Sequence, residues 1–114
     1  MTMIYKILPD GEWLAAQAVG EFTGSAIDIA DGYIHFSTAA QMVETAAKHF
    51  TGRANLMLVA VNDDVLGEAL KYEVSRGGAQ FPHLYRPLQI TEVVWAKPLP
   101  LDANGVHVFP EEAK

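Results

Sequence analysis

The alternation of apolar and polar residues predicts more strands than helices along this chain. Residues 56–61 form an uninterrupted apolar run, which is typical of a strand covered on both faces and therefore central in its sheet. Residues 70–75 alternate strictly, with Leu70, Tyr72 and Val74 on one side, as expected for a half-buried strand. Further strands are predicted at residues 3–8, 33–36, 90–97 and 106–109.

A first helix is predicted over residues 11–19. Asp10 is suited to an N-cap, and Gly20 to the position just after the last turn. Leu14 and Ala18 are four residues apart, so we expect them to lie on one helical face and to contact the core.

A second, better-defined helix is predicted to follow Thr38. Thr38 and Gln41 have the spacing of a capping box, in which each side chain bonds the backbone amide of the other residue. The helix should bury one apolar stripe. That stripe is predicted to consist of Met42, Val43, Ala46, Ala47 and Phe50.

The order of these elements indicates an α+β fold with a mixed, mostly antiparallel sheet, because strands outnumber the two helices and both helices come early. Residues 21–31 are polar and contain glycine, so we expect a connection with no defined element, which could form a loop over a binding site. No repeat or linker divides the sequence, and residues 1–114 are predicted to form a single domain.

Composition narrows the classes of function. The formal net charge of -6 disfavours bulk nucleic-acid binding, which requires a basic surface. The absence of cysteine excludes disulfides, a thiol nucleophile and thiolate metal sites. No apolar stretch approaches the ~20 residues that span a bilayer, and the first residues do not resemble a signal peptide. We therefore expect a cytoplasmic location and no membrane partner.

Residues 31–38 contain the first group of chemically active side chains. His35 and Ser37 are two apart on a predicted strand, so both should lie on the face that also carries Tyr33. Ser37 and Thr38 are suited to capping the following helix, and the sequence contains no G-x-S-x-G nucleophile motif. His35 is the stronger candidate, although a histidine there can also be a structural residue that bonds a backbone carbonyl.

Residues 81–88 contain the second group, which comprises His83, Tyr85 and Arg86. Pro82 and Pro87 predict a stiff loop, which loses less entropy on binding than a flexible one. The Arg86 guanidinium is suited to a phosphate or carboxylate. The structural alternative is a rigid surface loop whose role is to fill the core through Phe81, Leu84 and Leu88.

Glu73 and Glu92 are the candidate acids, although carboxylates on strands are more often solvated. A zinc site would need His35, His83 and His107 together, and their spacing matches no local metal-ligand motif. The sequence therefore predicts no metal site.

Two segments carry a resemblance to a known family. Residues 31–41 (DGYIHFSTAAQ) and 81–88 (FPHLYRPL) are similar to the motifs of a small bacterial and plant family called domain of unknown function 952. The resemblance covers nearly the whole chain, from the strand around Tyr5 to the strand around Trp95. The family has no established activity, so its name implies no reaction.

The resemblance implies a fold similar to that of the ADP-ribosyltransferases, which hold NAD on a split, strand-rich sheet. By position, His35 corresponds to a ribose-binding residue, and Tyr72 or Tyr85 to the residue that packs on nicotinamide. His83 and Arg86 are then placed near the phosphates. The resemblance supplies no catalytic acid, because neither candidate glutamate lies in a recognisable acidic motif.

The leading hypothesis is a site that binds NAD, as a substrate, or another small phosphate-bearing molecule, with His35 and His83 as the catalytic candidates. The reaction would be transfer or hydrolysis at a glycosidic carbon, whose cation-like transition state requires positioning and charge stabilisation. One alternative is a non-enzymatic module that binds a small anion or metabolite, and another is an interaction domain with structural histidines. The candidate ligand-binding residues are Ser37, Thr38, Tyr72, Arg76, Tyr85 and Arg86.

Overall fold

The structure, a computed structural model, describes residues 2–113 except for the side chain of Arg76. It confirms an α+β fold. The helices are α1 (Asp10–Val19), α2 (Ala26–Asp31) and α3 (Ala39–His49). The strands are β1 (Met3–Pro9), β2 (Glu21–Phe22), β3 (Ile34–His35), β4 (Ser37–Thr38), β5 (Leu56–Asn62), β6 (Leu70–Val74), β7 (Gln80–Leu84), β8 (Leu88–Gln89) and β9 (Val93–Leu99). Short 3₁₀ turns lie at Asp63–Ala69, Arg76–Gly78, Ile90–Glu92 and Glu111–Ala113.

The strands form three antiparallel groups. The largest has the order β4-β1-β5-β9, so β5 is an inner strand, as its apolar run predicted. A three-stranded sheet has the order β3-β7-β6, and β2 pairs with β8. The predicted mostly antiparallel pairing is therefore confirmed.

Two apolar clusters contact opposite faces of the four-stranded sheet, because alternate residues of β1 and β5 point to opposite sides. Ile4 and Val59 belong to the cluster that also contains Trp13, Phe36 and Leu84. The other cluster, below α3, is built from the intervening positions of the same strands. It includes Tyr5, Ile7, Met42, Ala46, Leu58, Ala60 and Leu99.

The predicted strand 33–36 is interrupted at Phe36, a buried core residue whose backbone N–H donates to Pro82 O. β3 before it pairs with β7, whereas β4 after it pairs with β1. His35 and Ser37 therefore belong to two different sheets, and the prediction that one strand would present both on one face was wrong.

The helix boundaries were predicted better than the helix faces. Gly20 follows α1 with the expected positive φ of 100°, and α3 begins with the predicted capping box. Leu14 is 66% exposed, because α1 buries Trp13 and Ala16 instead. The large indole decides which side of this short helix packs inward. In α3 the buried positions are Met42 and Ala46, so the predicted stripe was too wide.

Four segments differ from the predicted pattern. Residues 21–31 contain β2 and α2, and residues 81–84 continue a strand rather than forming a stiff loop. The predicted strand 106–109 is reduced to one bridge between Leu101 and His107. β6 is an edge strand, and Val74 on its apolar face is exposed. The face that was predicted to be buried is therefore only partly covered. Within residues 2–113, none of the helices has the length and apolar character required to cross a membrane.

Candidate functional site

His35 and His83 are direct partners in the β3–β7 register. Their ring centroids are 5.4 Å apart, with the planes inclined at 70°. Directly opposed residues of an antiparallel pair project on the same side of the sheet. The two histidines, which are distant in sequence, therefore lie side by side on one face of this sheet.

Tyr33 joins the two imidazoles into an aromatic cluster with Tyr85. Its ring stacks on His83 at 4.1 Å between centroids and 28° between planes. It also makes tilted contacts with His35 at 4.7 Å and with Tyr85 at 5.2 Å. Burial raises the pKa of Tyr33, and the charges of nearby carboxylates raise it further. These four rings are called the aromatic cluster below.

His83 is held by a carboxylate at one ring nitrogen only. Its Nδ1 lies 2.9 Å from Glu73 Oε1, which also accepts a hydrogen bond of 2.6 Å from the Tyr85 hydroxyl. The bond from Tyr85, followed by that from His83, lowers the pKa of Glu73 and keeps it an acceptor. Nδ1 must then carry the proton, so in the neutral ring Nε2 is the acceptor. His83 is 2% exposed, and its Nε2 has no hydrogen-bond partner among the described residues.

His35 contacts carboxylates at both ring nitrogens. Nδ1 lies 2.6 Å from Asp28 Oδ1, and Nε2 lies 3.0 Å from Asp31 Oδ2. Because ionised carboxylates only accept hydrogen bonds, both contacts are satisfied together when the ring carries both protons. The side chain is 30% exposed, so of the two histidines it is the one open to solvent.

Asp28 organises this region and was missed by the sequence analysis. The residue is 1% exposed and accepts hydrogen bonds from Lys6 Nζ, from the Ser25 backbone and from both the backbone and ring of His35. Burial by itself raises the pKa of Asp28. The bond from His35 and the charge and bond of Lys6 outweigh burial, so the pKa falls to about 2.

Two sequence signals could have identified Asp28. Ser25 and Asp28 have the spacing of a capping box, which the structure contains at the start of α2. Lys6 interrupts an otherwise apolar run and is buried in β1. A buried ammonium group needs an anionic partner, which here is Asp28 at 2.8 Å.

The two predicted residues at the start of α3 have capping or packing contacts. Thr38 caps the helix through the box with Gln41. Ser37 is buried, and its hydroxyl lies 3.0 Å from the Thr45 hydroxyl. No described contact joins either residue to the aromatic cluster.

The remaining predicted ligand-binding residues also have partners elsewhere. The Tyr72 hydroxyl donates to Asp63 Oδ2 at 2.9 Å, on the side of β6 opposite to Glu73. Arg86 makes two hydrogen bonds, of 2.9 and 2.7 Å, to the Glu92 carboxylate. The side chain of Arg76 lies outside the described part of the chain. Of the predicted ligand-binding residues, the structure brings Tyr85 to the two histidines.

The zinc arrangement considered from sequence has no counterpart in residues 2–113, which contain no grouping of three or more histidine or carboxylate side chains able to hold a metal ion. His107 lies apart from the other two histidines, with its Nε2 2.9 Å from Arg53 O.

Two hollows lie away from the aromatic cluster. One, of about 570 Å³, lies between α3 and the C-terminal segment around Phe109. The other, of about 490 Å³, lies between α1 and β9 near Trp13. Neither is lined by His35 or His83, and at the cluster itself the Tyr33 ring lies against His83.

The fold and the cluster together define a small α+β protein with two carboxylate-held histidines on one sheet. The model of a family described as a protein of unknown function (DUF952) matches residues 7–96, and the chain belongs to this family. No curated protein matches the sequence.

Solved structures support the same assignment. The chain is similar to the crystal structure of protein CC0527 from Caulobacter crescentus, with 57% identity, 98% of each chain covered and a TM-score of 0.93. It is also similar to the solution NMR structure of CC0527, with 61% identity, coverage of 93% of this chain and 91% of that chain, and a TM-score of 0.85. The likeness to ADP-ribosyltransferases stays a prediction.

Proposed function

We propose that the aromatic cluster binds a small molecule in which a cationic aromatic ring is attached to a sugar, and that it promotes transfer or hydrolysis at the glycosidic carbon. The nicotinamide riboside part of NAD has this chemistry. The observation that carries the proposal is the state of His83, whose Nδ1 is held by Glu73 while its buried Nε2 has no described partner. Such a nitrogen is suited to accept a proton from a bound hydroxyl group.

The charge around the cluster favours a cationic ligand. Asp28 and Lys6 form a buried ion pair and largely offset one another. Asp31 is offset by the His35 ring when that ring carries both protons, which leaves the Glu73 carboxylate beside His83 as the uncompensated negative charge. The face of Tyr85 can attract a cation. Fixed carboxylates stabilise the positive charge that develops on the sugar in the transition state.

Arg86 does not contribute to this proposal. Its guanidinium is engaged by both oxygens of Glu92, and it also contacts Leu66 O. A phosphate would have to compete with a carboxylate that already has bidentate geometry. We therefore assign recognition to the ring and ribose of the ligand rather than to its phosphates.

The chemical step assigns separate roles to the two histidines. In hydrolysis, water attacks the anomeric carbon while the bond to the aromatic nitrogen breaks, and the ring leaves with that electron pair. His83 Nε2 takes the proton from the water, and Glu73 stabilises the resulting imidazolium at Nδ1. His35 has both ring nitrogens on carboxylates and therefore positions Asp31, whose partly exposed carboxylate accepts hydrogen bonds from the ribose hydroxyls.

The test is a titration of the protein with nicotinamide riboside, NAD and ADP-ribose by calorimetry, combined with measurement of released nicotinamide. The riboside and NAD should bind at millimolar concentration or below, and ADP-ribose should bind more weakly because it lacks the cationic ring. His83→Gln should abolish nicotinamide release, whereas the matched control His107→Gln should not. No heat with any of the three ligands would overturn the proposal.

One observation favours a second function, binding without turnover. The Tyr33 ring covers a face of His83, and the imidazole is almost fully buried. Because the imidazole is almost fully buried, the site can hold a metabolite while excluding the attacking water. In that case the riboside binds with measurable heat, and no nicotinamide is released over hours at high protein concentration.

A further inference from the structure

We propose that the Tyr33 side chain occupies the position that the aromatic ring of the ligand takes when bound, so that Tyr33 must rotate away before a ligand ring can stack on His83 and place its hydrogen-bond donor at Nε2. This inference rests on the proposed function, because it names the part of the site that recognises the ring. It follows from the contacts of Tyr33, the state of His83 and the anchoring of the backbone between them.

The contacts of the Tyr33 ring resemble those of a bound aromatic ligand. The ring stacks nearly parallel on His83 and touches His35 and Tyr85 at its other sides. Stacking is one of the two arrangements that aromatic ring pairs prefer. A planar ligand ring of similar size can therefore replace Tyr33 with little change in the surrounding side chains.

The unpartnered Nε2 of His83 explains why a ligand ring would replace the Tyr33 ring. A buried polar atom without a partner costs free energy, and native proteins contain few of them. With Nδ1 donating to Glu73, Nε2 requires a donor. Tyr33 contributes a ring face to His83, whereas a ligand that joins a ring to a hydroxylated sugar contributes a ring face and a donor. The ligand class is thus an aromatic ring that carries an adjacent hydroxyl or N–H group.

The backbone restricts the movement to the side chain. Tyr33 N–H donates to Asp28 O at 3.2 Å, and the preceding Gly32 N–H donates to the same oxygen at 2.8 Å. Ile34, the next residue, is fixed in register with Leu84. Since the chain is anchored on both sides of Tyr33, opening is a rotation about the Tyr33 side-chain bonds. Rotations of this kind are much faster than rearrangements of domains.

The first measurement is the rate at which diethyl pyrocarbonate modifies each histidine, resolved by mass spectrometry of peptides. Tyr33→Ala should raise the rate at His83 by about tenfold or more, because the wild-type ring is open only part of the time. Tyr33→Phe keeps the ring and is the matched control, so its His83 rate should stay close to that of the wild type. His107, outside the cluster, should react equally in all three proteins.

The second measurement is the affinity of the same proteins for nicotinamide riboside. Tyr33→Ala should bind about tenfold more tightly than the wild type, since no ring has to be displaced. Bound riboside should also protect His83 of Tyr33→Ala from the reagent. If Tyr33→Ala lowers the melting temperature too far, Tyr33→Leu removes the ring while keeping most of the apolar volume.

Two results would overturn the inference. One is a His83 that stays as protected in Tyr33→Ala as in the wild type. The other is an exposed His83 with weaker riboside binding, which would make Tyr33 a ligand contact rather than a placeholder. Failure of the proposed reaction is distinguishable from both results. If Tyr33→Ala binds the riboside tightly but the wild type releases no nicotinamide, the proposed reaction is wrong, and the inferred position of the ligand ring still holds.

Discussion

His35 and His83 face one another across the β3–β7 pair, and each places its Nδ1 against a different carboxylate, Asp28 for one and Glu73 for the other. Each carboxylate accepts a hydrogen bond from Nδ1–H and thereby determines how the remaining nitrogen can bond. The two pairs differ at Nε2, which contacts Asp31 in His35 and has no described partner in His83. This asymmetry is the basis for giving the two histidines different roles.

Glu73→Gln tests the bond that orients His83. The amide can donate as well as accept, so His83 is no longer restricted to carrying its proton on Nδ1. We expect ¹⁵N NMR of the imidazole nitrogens to show a shift of the neutral ring toward the other tautomer. A tautomer population identical to that of the wild type would contradict the role assigned to Glu73.

The same substitution should lower the pKa of Tyr85. A hydrogen bond to Glu73, together with burial, raises that pKa to about 12 in the native protein. Tyr72 also has a pKa raised to about 12, through burial and its bond to Asp63. An absorbance titration of tyrosinate should therefore show one late-titrating group fewer in Glu73→Gln. Asp63→Asn is the matched control, since it should release Tyr72 and leave Tyr85 unchanged.

Asp28 predicts how stability changes in acid. Its pKa is lowered from 3.8 to about 2 in the folded state, so the folded protein binds the proton less tightly than the unfolded chain does. The resulting stabilisation, about 2 kcal/mol, is fully present above the unfolded value and is lost as the pH falls through the folded value. Urea denaturation between neutral pH and pH ~2 should show this loss in the wild type and a smaller one in Asp28→Asn.

At neutral pH, Asp28→Asn should be strongly destabilising, because it leaves the buried Lys6 without an anion. Breaking one side of a buried pair costs about 3–5 kcal/mol. Replacing both partners, in Lys6→Met with Asp28→Asn, should cost less than the sum of the two single changes. Strict additivity in urea denaturation would show that the pair is not energetically coupled.

The success of the sequence predictions followed the strength of the local signal. The apolar run 56–61 correctly predicted an inner strand, and Thr38 with Gln41 correctly predicted the start of α3. Both signals depend on neighbouring residues alone. The face of α1 depended on which side chain the sheet accommodates, so Trp13 was buried where Leu14 was expected.

The candidate site was predicted only in part for the same reason. His35, His83 and Tyr85 were identified from their residue types, but the division of His35 and Ser37 between two sheets depends on strand pairing that local pattern does not encode. The pairing of Lys6 with Asp28 joins residues that are distant in sequence. Its signals, a lysine in an apolar strand and a capping box, become informative only when they are read together.

Substitutions in α1 test the corrected helix face. Trp13→Ala should lower the free energy of unfolding by about 3–5 kcal/mol, because it leaves a cavity at a buried position. Leu14→Ala should cost no more than about 0.5 kcal/mol, as expected for an exposed position. Chemical denaturation of both variants measures the difference, and equal losses would argue against the packing described for α1.

Arg86→Ala separates a structural role from ligand recognition. Arg86 pairs with Glu92 at a partly exposed position, so the variant should lose about 1 kcal/mol or less of unfolding free energy. Because its guanidinium is engaged, the affinity for nicotinamide riboside should stay unchanged. A large loss of affinity with unaltered stability would show that Arg86 contacts the ligand.

The most direct test of the account is an ¹⁵N NMR titration of the histidine rings with nicotinamide riboside. We predict that the His83 Nε2 resonance moves to the position of a hydrogen-bonded acceptor as the ligand saturates, while the resonances of His107 stay in place. A His83 signal that does not move at millimolar riboside, in a protein that remains folded, would contradict the claim that this buried imidazole is the ligand-facing group.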